Sequence, residues 1–375
     1  MAEAGRILIA GGGIAGLSLA IALRKRGFDP ELVERSPAWP TAGAAIVLHA
    51  NAVRVLSEWG LRHAAEQAAT PLPRWGFYDQ QGTRLCESDL TSLWRGVGPC
   101  LGISRVRLQE ILLAAAAGVP HRLGVAVSGL TRDGSQVRVR FSDGGAGEYD
   151  LVVGADGVRS TVRRLAISPR PPRYLDMMSW RSVVPDRPPG VDHLMVFTGD
   201  RCLFGVAPVD HGHTYGFAGL ASERFDDPAE GRLDRFRQRF ACFGGPVPAY
   251  LAALKCDGQL HAGPIEGVEL DRWQAGRVVL AGDAAHATAP HMGEGGAMAL
   301  EDATVLAEAL TEAGTVPDAL ASFEGRRQPR VAWVQEQSKI AAKAWVLPPA
   351  IRDAALRERG DRMLQDRYRP LIKAV

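Results

Sequence analysis

An α/β fold is predicted from this sequence: a doubly wound parallel-sheet domain interrupted by an antiparallel sheet and followed by a C-terminal helical segment. Three observations carry the prediction. An apolar run, Ile7-Leu8-Ile9-Ala10, leads into Gly11-Gly12-Gly13-Ile14-Ala15-Gly16 and then into a helical stretch reaching Arg26. Two later glycine-bearing segments also follow strand-like runs. Gly154-Ala155-Asp156-Gly157-Val158-Arg159-Ser160 comes after Tyr149 to Val153, and Gly282-Asp283-Ala284-Ala285-His286, with Pro290, Gly293 and Gly295, comes after Arg277 to Ala281. Between them, Val191 to Ala221 alternates short apolar runs with Gly, Asp and His turns, the pattern of an antiparallel sheet.

The first segment has the form of a Rossmann-like dinucleotide fingerprint. Gly11 allows the tight turn, Gly13 lets the backbone approach a pyrophosphate, and Gly16 permits close packing of helix on strand. Ile14 and Ala15 open the helix, whose free amides and positive dipole end favour an anion. The next strand, Pro30-Glu31-Leu32-Val33, delivers Glu34 and Arg35 to its carboxyl end, close to the spacing of about 20 residues expected for a ribose-binding acid. Ile7 to Leu23 is uncharged but interrupted by four glycines and too short for a membrane span, which wants about 20 apolar residues.

At 375 residues, two packed domains are expected. The 44 basic and 42 acidic residues leave a net charge of +2, which gives no support for nucleic acid as a partner. The five cysteines, Cys86, Cys100, Cys202, Cys242 and Cys256, are scattered without a Cys-x-x-Cys pair, so no metal site is expected and reduced thiols in a cytoplasmic protein are. Pro/Gly-rich stretches near 71–73, 169–172 and 185–190 read as domain crossings. The expected division is therefore a discontinuous nucleotide domain of residues 1–70, 96–168 and 262–345, a substrate domain of 71–95 and 169–261, and a helical segment of 346–375. Ala297 to Ala313 and Ala319 to Lys343 carry helical periodicity, the latter containing Pro329. Pro348 to Arg369 reads as a solvated amphipathic helix covering the core, with no stable membrane association. Monomer and homodimer both remain open.

With these motifs in this order, the chain resembles the class A flavoprotein monooxygenases, the group containing para-hydroxybenzoate hydroxylase and salicylate hydroxylase, over most of residues 5 to 330. Arg105-x-x-Leu108-x-x-x-Leu112 is similar to the family segment whose arginine touches FAD. Trp180-Arg181-Ser182-Val183-Val184-Pro185 is similar to the family's entry into the substrate sheet. The resemblance implies FAD as cofactor, with Gly11, Gly13 and Gly16 at the pyrophosphate, Glu34 at the adenosine ribose, Arg105 at the phosphate or ribitol, and the Val127 backbone near adenine. It puts Asp156 near FAD and the path of NADH or NADPH, a transient co-substrate, and puts Asp283 at the ribitol hydroxyls. Arg159 is open to a loop-supporting role.

The stretch Ala289 to Gly296 resembles the salicylate hydroxylase branch. By that likeness Pro290 lies beside the reactive flavin edge, and Gly293, Gly295 and Gly296 belong to a turn aiming amides at flavin N1 and O2, where charge develops on reduction. Glu294 stands where relatives often carry an uncharged residue. Ionised and inward it would oppose that charge, so it is expected to turn toward solvent or a cation.

The cycle implied is reduction of FAD by NAD(P)H, addition of O2 to give a flavin C4a-hydroperoxide, and hydroxylation of a small aromatic or heteroaromatic substrate. A base near a phenolic substrate would assist. His213 and Tyr215 are candidates, with His211 beside them, and a surface-turn role is the competing reading for each histidine. Arg181 offers a fork for a carboxylate or phenolate, or a salt bridge at the domain edge. His286 reads as an orienting residue, His291 as flavin-proximal or capping, and Phe204, Phe217 and Trp180 as either pocket wall or core. A halogenase is disfavoured because Trp180 to Pro185 lacks the second tryptophan of Trp-x-Trp-x-x-Pro. A flavin reductase without oxygen insertion and a non-catalytic flavin-binding protein are the remaining alternatives.

Overall fold

The computed structural model of the chain describes residues 4–41 and 44–375, so residues 1–3 and 42–43 of the first expected domain segment lie outside the described residues. Ile7–Ala10, buried at every position, occupies the interior of a six-stranded sheet. The strand order is Gln274–Ala275, Val278–Leu280, Leu151–Gly154, Ile7–Ala10, Pro30–Glu34 and His121–Leu123. All neighbours are parallel except the first pair. The register aligns Ala10 with Gly154 and Val33, and Gly154 with Leu280. One sheet edge therefore collects the residues after four strands: Gly11, Arg35, Ala155-Asp156 and Ala281 to Asp283.

The run Tyr149 to Val153 is not one strand. Ala146–Tyr149 pairs with Gln136–Phe141, itself paired with Val127–Asp133, in a separate antiparallel sheet, while Leu151–Gly154 enters the parallel one. The chain changes sheets at Asp150, where the amides of Asp150 and Leu151 both bond the Arg6 carbonyl.

The predicted antiparallel strands are Leu194–Thr198, Cys202–Val209 and His213–Ala221, consecutive hairpins of a seven-stranded sheet. Its order is His261–Gly267, Arg173–Val184, His213–Ala221, Cys202–Val209, Leu194–Thr198, Arg74–Asp79 and Arg84–Asp89. The strand His261–Gly267, assigned almost wholly to the nucleotide segment in the expected division, is an edge of this sheet through its pairing with Arg173–Val184. The period-two alternation sorts the side chains. Trp180, Phe204 and Val206 point to one face, packed against Phe236 and Phe240 of the helix Arg232–Phe240 and Tyr250 of the helix Val247–Ala253. Arg181, Tyr215 and Phe217 point to the other. Trp180 and Phe204 are thus core, and Trp180 donates its indole N–H to Asp227 at 2.7 Å.

Helix Gly295–Glu312 packs on Ile14–Lys25, and helix Val316–Trp345 runs unbroken through Pro329. The carbonyl that Pro329 crowds belongs to Gly325, which has open space around it. The last helix, Pro349–Ile372, buries Gly360, Leu364, Tyr368 and Leu371 at helical spacing. It does more than cover the core, because it touches both sheets' territories. Gly360 sits where a Cβ would strike Cys86, Arg352 bonds the carbonyls of Thr198 and Gly199, and Tyr368 donates to the Met292 carbonyl. Among the described residues no helix is long and apolar enough to cross a membrane.

Arg352 is buried and its guanidinium bonds three carbonyls and the Asp353 carboxylate. Arg352→Ala leaves those acceptors unpaired and is expected to cost about 2–3 kcal/mol, measured as a lowered urea midpoint; an unchanged midpoint would contradict the clamp.

Candidate active site

At the shared sheet edge the glycine fingerprint divides its work by space. Gly11 has φ +112°, and a Cβ there would collide with the Ala155 carbonyl. A Cβ on Gly16 would strike the Gly11 carbonyl, whereas nothing lies within 4 Å of one on Gly13. Gly11 and Gly16 are therefore filled by protein and Gly13 opens outward. The first helical bond runs from Leu17 N to Gly13 O at 3.0 Å, which leaves the amides of Ile14, Ala15 and Gly16 without intrahelical partners beside that opening. Glu34 closes the far end, accepting from Gly12 N at 2.6 Å and Ser36 N at 2.8 Å. Arg35 is exposed beside it. Val125 N donates to Glu34 O at 3.0 Å, which brings the buried Val127 to the same end.

Asp156 and Asp283 have different surroundings. The Asp156 carboxylate accepts from Ser160 Oγ and from the amides of Thr161 and Val162 at 2.7 and 3.1 Å, capping the helix Thr161–Ala166. Arg159 bonds Glu266 through two nitrogens, so it supports the loop, and the buried Arg163 ties Val158 O to Ala284 O, joining the second and third motifs. Asp283 is exposed, and one of its oxygens lies 3.9 Å from where a Gly295 Cβ would stand. Its free carboxylate, the open Gly13 and two helix N-termini form the donor and acceptor set that a dinucleotide with a polyol linker requires.

The turn after Asp283 is set from below. Pro290 is exposed at the start of the short turn Pro290–Met292. Gly293 rests 3.1 Å from His49 Nε2, and Gly296 on Ile46, measured to the Cβ each lacks. Met298 N bonds Glu294 O at 2.8 Å, freeing the amides of Gly295 and Gly296. His286 binds Asp302 Oδ2 at 2.7 Å, the oxygen that also accepts from Gly282 N at 2.8 Å, which is the orienting role. His291 caps nothing: both ring nitrogens are buried without a partner, and the ring lies 5.7 Å from Trp345.

Glu294 corrects the sequence expectation. It is 1% exposed, faces neither solvent nor a cation of its own, and accepts from Asn51 Nδ2 at 2.9 Å. Burial pushes its carboxyl up to about 8. Sequence reasoning missed Asn51, Glu301, Asp302, Arg327, Arg330 and Tyr368, which hold this turn. Glu301 and Asp302 were open to inference, on the helix that Glu294 precedes and two turns along it; the others come from helices whose docking no local pattern announces.

Across from the turn lies the second face of the seven-stranded sheet. Tyr215 is buried against Ala44 and Ala45, which directly precede Ile46 at Gly296. The Arg181 guanidinium lies beside its phenol, and Arg105 faces it from the start of the helix Arg105–Ala115. Burial raises the Tyr215 phenol above its usual range, more than the two arginines lower it. Tyr215 therefore stays protonated at neutral pH and is a hydrogen-bond donor, not a base. His213 is exposed at the first position of its strand. His211 belongs to the turn, with φ +56° and bonds to Thr70 and Gln67. The Phe217 ring lies across Gly205, where any Cβ would meet it, so it forms a flat floor.

Gly13→Val and Gly16→Ala separate the cradle from the fold. Gly13→Val is expected to fold as the wild type while losing FAD at least about a hundredfold, through blocked backbone approach; Gly16→Ala is expected to lower the melting temperature of the apoprotein. Differential scanning fluorimetry and FAD titration read the two, and tight FAD binding by Gly13→Val would refute the assignment.

The chain matches the family described as FAD binding domain over residues 5–338. It is 36% identical over 329 residues to the aurachin C monooxygenase/isomerase of Stigmatella aurantiaca, covering 86% of this chain and 85% of that one. It is 32% identical over 342 residues to the 2-heptyl-3-hydroxy-4(1H)-quinolone synthase of Pseudomonas aeruginosa, covering 90% and 88%. The structure of Klebsiella pneumoniae HpxO complexed with FAD and uric acid superposes with a TM-score of 0.90 at 27% identity, covering 98% and 96% of the two chains. By fold, cofactor cradle and relatives, this chain belongs to the class A FAD-dependent monooxygenases.

Proposed function

We propose that the protein draws electrons from NADH or NADPH and hydroxylates a planar, electron-rich nitrogen heteroaromatic bearing an oxo or hydroxy group, held between Phe217 and the Pro290–Gly296 turn. The observation that carries this reading is the Arg181–Tyr215 pair on the sheet face that also carries Phe217 and Val209. A flat aromatic floor favours a planar ring, and a protonated phenol beside a guanidinium favours a ring oxygen that gains negative charge. Two of the relatives point the same way, one named for a quinolone and one solved with uric acid.

Bound FAD supplies the hydride acceptor and the oxygen activation. The chain's own residues do the rest. Phe217, Leu203 and Trp345 line an apolar wall that excludes water. Tyr215 donates to the substrate oxygen, and Arg181 offsets the charge that accumulates there as the ring is attacked. Asp283 and the amides of Gly295 and Gly296 hold the cofactor, and Pro290 bounds its reactive edge.

FAD-loaded protein, NADH or NADPH and 18O-labelled O2 should give a product carrying one label with a 4-quinolone, a purine or a hydroxypyridine. Flavin reduction without labelled product from any of these rings would overturn the substrate class. Tyr215→Phe is expected to keep FAD and to lower kcat/KM about tenfold to a hundredfold, the loss of one buried hydrogen bond.

A further inference from the structure

Beneath the Gly293–Gly296 turn, two buried oxygens lack a hydrogen-bond donor, and both belong to side chains already bonded to each other. Glu294 Oε2 accepts from Asn51 Nδ2 at 2.9 Å, while Glu294 Oε1 and Asn51 Oδ1 have no partner. Orphaned buried acceptors are costly. A single proton on Glu294 turns the carboxylate into an O–H donor, and an acid and a carboxamide can then satisfy each other in both directions.

The surroundings put the negative charge elsewhere. Asn51 Nδ2 also reaches Glu301 Oε1 at 3.1 Å, so one amide bridges two carboxyl groups. Glu301 receives Arg327 Nη1 at 2.7 Å, and Arg330 Nε and Nη2 at 2.8 and 2.7 Å. Arg327 Nε goes to Asp302 at 2.8 Å and Arg327 Nη2 to the Met298 carbonyl at 3.1 Å, and Asp302 also holds Gly282 and His286. Both guanidinium groups are thus committed to Glu301 and Asp302. From the other elements, Glu294 faces Tyr368 of the last helix and Cys100, and His49 lies under Gly293. Burial raises the phenol, raises the Cys100 thiol to about 12 and lowers His49 to about 4, so all three are neutral at pH 7 and none offsets a carboxylate. Glu294 precedes the helix Gly295–Glu312 without capping it, which forgoes the helix's amides; the Asn51 hydrogen bond and the charges of Arg327 and Arg330 favour ionisation, but burial and the neighbouring Glu301 outweigh them. Paired carboxyls in environments this unequal divide into one acid and one carboxylate.

We propose that Glu294 is held as a neutral carboxylic acid paired with the Asn51 carboxamide, and is a positioning residue that anchors the Gly293–Gly296 turn while keeping negative charge away from it. The positioning role rests on the reading that this turn faces the flavin. Sequence position alone suggested a liability at 294; the proton removes it. The sign of the pH dependence follows. The folded-state value of about 8 lies above the ordinary 4.5, so the stability contributed by the protonated pair is complete below about pH 4.5 and is lost as pH rises to about 8. Above that, a carboxylate sits beside the turn and opposes the charge the flavin takes up on reduction.

Two measurements on FAD-loaded protein test this. Infrared difference spectra at pH 7, wild type minus Glu294→Gln, should contain a protonated-carboxyl C=O band, and in the wild type that band should disappear as pH is raised through about 8. The flavin midpoint potentials of wild type and Glu294→Gln should coincide near pH 6.5, with the wild type falling progressively below the variant from about pH 8 upward. Gln keeps one acceptor and one donor toward Asn51, so it should fold and bind FAD; failure to do either counts against the pair. A missing band in the wild type overturns the proposal outright. A band that titrates as expected, with coincident potentials at every pH, overturns the positioning role and with it the placement of this turn at the flavin.

Discussion

A guanidinium without access to water organises the cofactor side of this molecule. Arg327 is fully buried, and a buried charge must be matched where it stands. Glu301 and Asp302, adjacent on the helix Gly295–Glu312, take it from two sides. Because Asp302 also fixes Gly282 and His286, the charge of Arg327 reaches the strand end that presents Asp283. Because Glu301 also takes Arg330 and Asn51, the same charge fixes the helix Ala50–Glu58 and, through the carbonyls of Pro370, Leu371 and Lys373, the end of the chain. Such a cluster supplies specificity of geometry more than stability, which suits a turn whose amides must point at one small region.

The second requirement is that a separate sheet meet that turn at a fixed distance. Three connections hold it there. Asp210, at the tip of one hairpin, accepts from Ser104 N, and His211 next to it bonds Thr70 and Gln67. Glu266, on the edge strand His261–Gly267, takes both Arg159 of the second motif and Arg224. The last helix grips the sheet through Arg352 and the turn through Tyr368. The sheet and the turn are thus placed by hydrogen bonds that are buried at the last helix and partly or fully exposed at the hairpin tip and the edge strand.

The cofactor half was legible because its chemistry is written in backbone requirements. A close approach at Gly16, a left-handed turn at Gly11 and an acid at the end of the second strand are local properties with fixed spacing. The substrate half was legible as a sheet but not as a pocket. Alternation says that Trp180 and Arg181 face opposite ways, yet which face meets helices and which meets the Pro290–Gly296 turn depends on where the helices Arg232–Phe240 and Val247–Ala253 dock. Tyr215 was identified by position, but its protonation follows from burial against Ala44 and Ala45, a contact between segments 170 residues apart in the chain.

Glu294 shows the same division most sharply. Its place beside the glycines, and the cost of a charge there, follow from the sequence. The remedy does not, since it depends on residues of three other helices: Asn51, which pairs with Glu294, Arg327 and Arg330, which spend their donors on Glu301, Asp302 and nearby carbonyls, and Tyr368, which donates to Met292 O. The sequence by itself determined the fold class, FAD as the cofactor and the order of motifs, because these rest on strand periodicity and backbone geometry within short windows. Only the tertiary structure decided which sheet face meets the turn, which of two carboxyls keeps its charge and which phenol stays protonated, because burial and hydrogen-bond competition are set by elements distant in the chain.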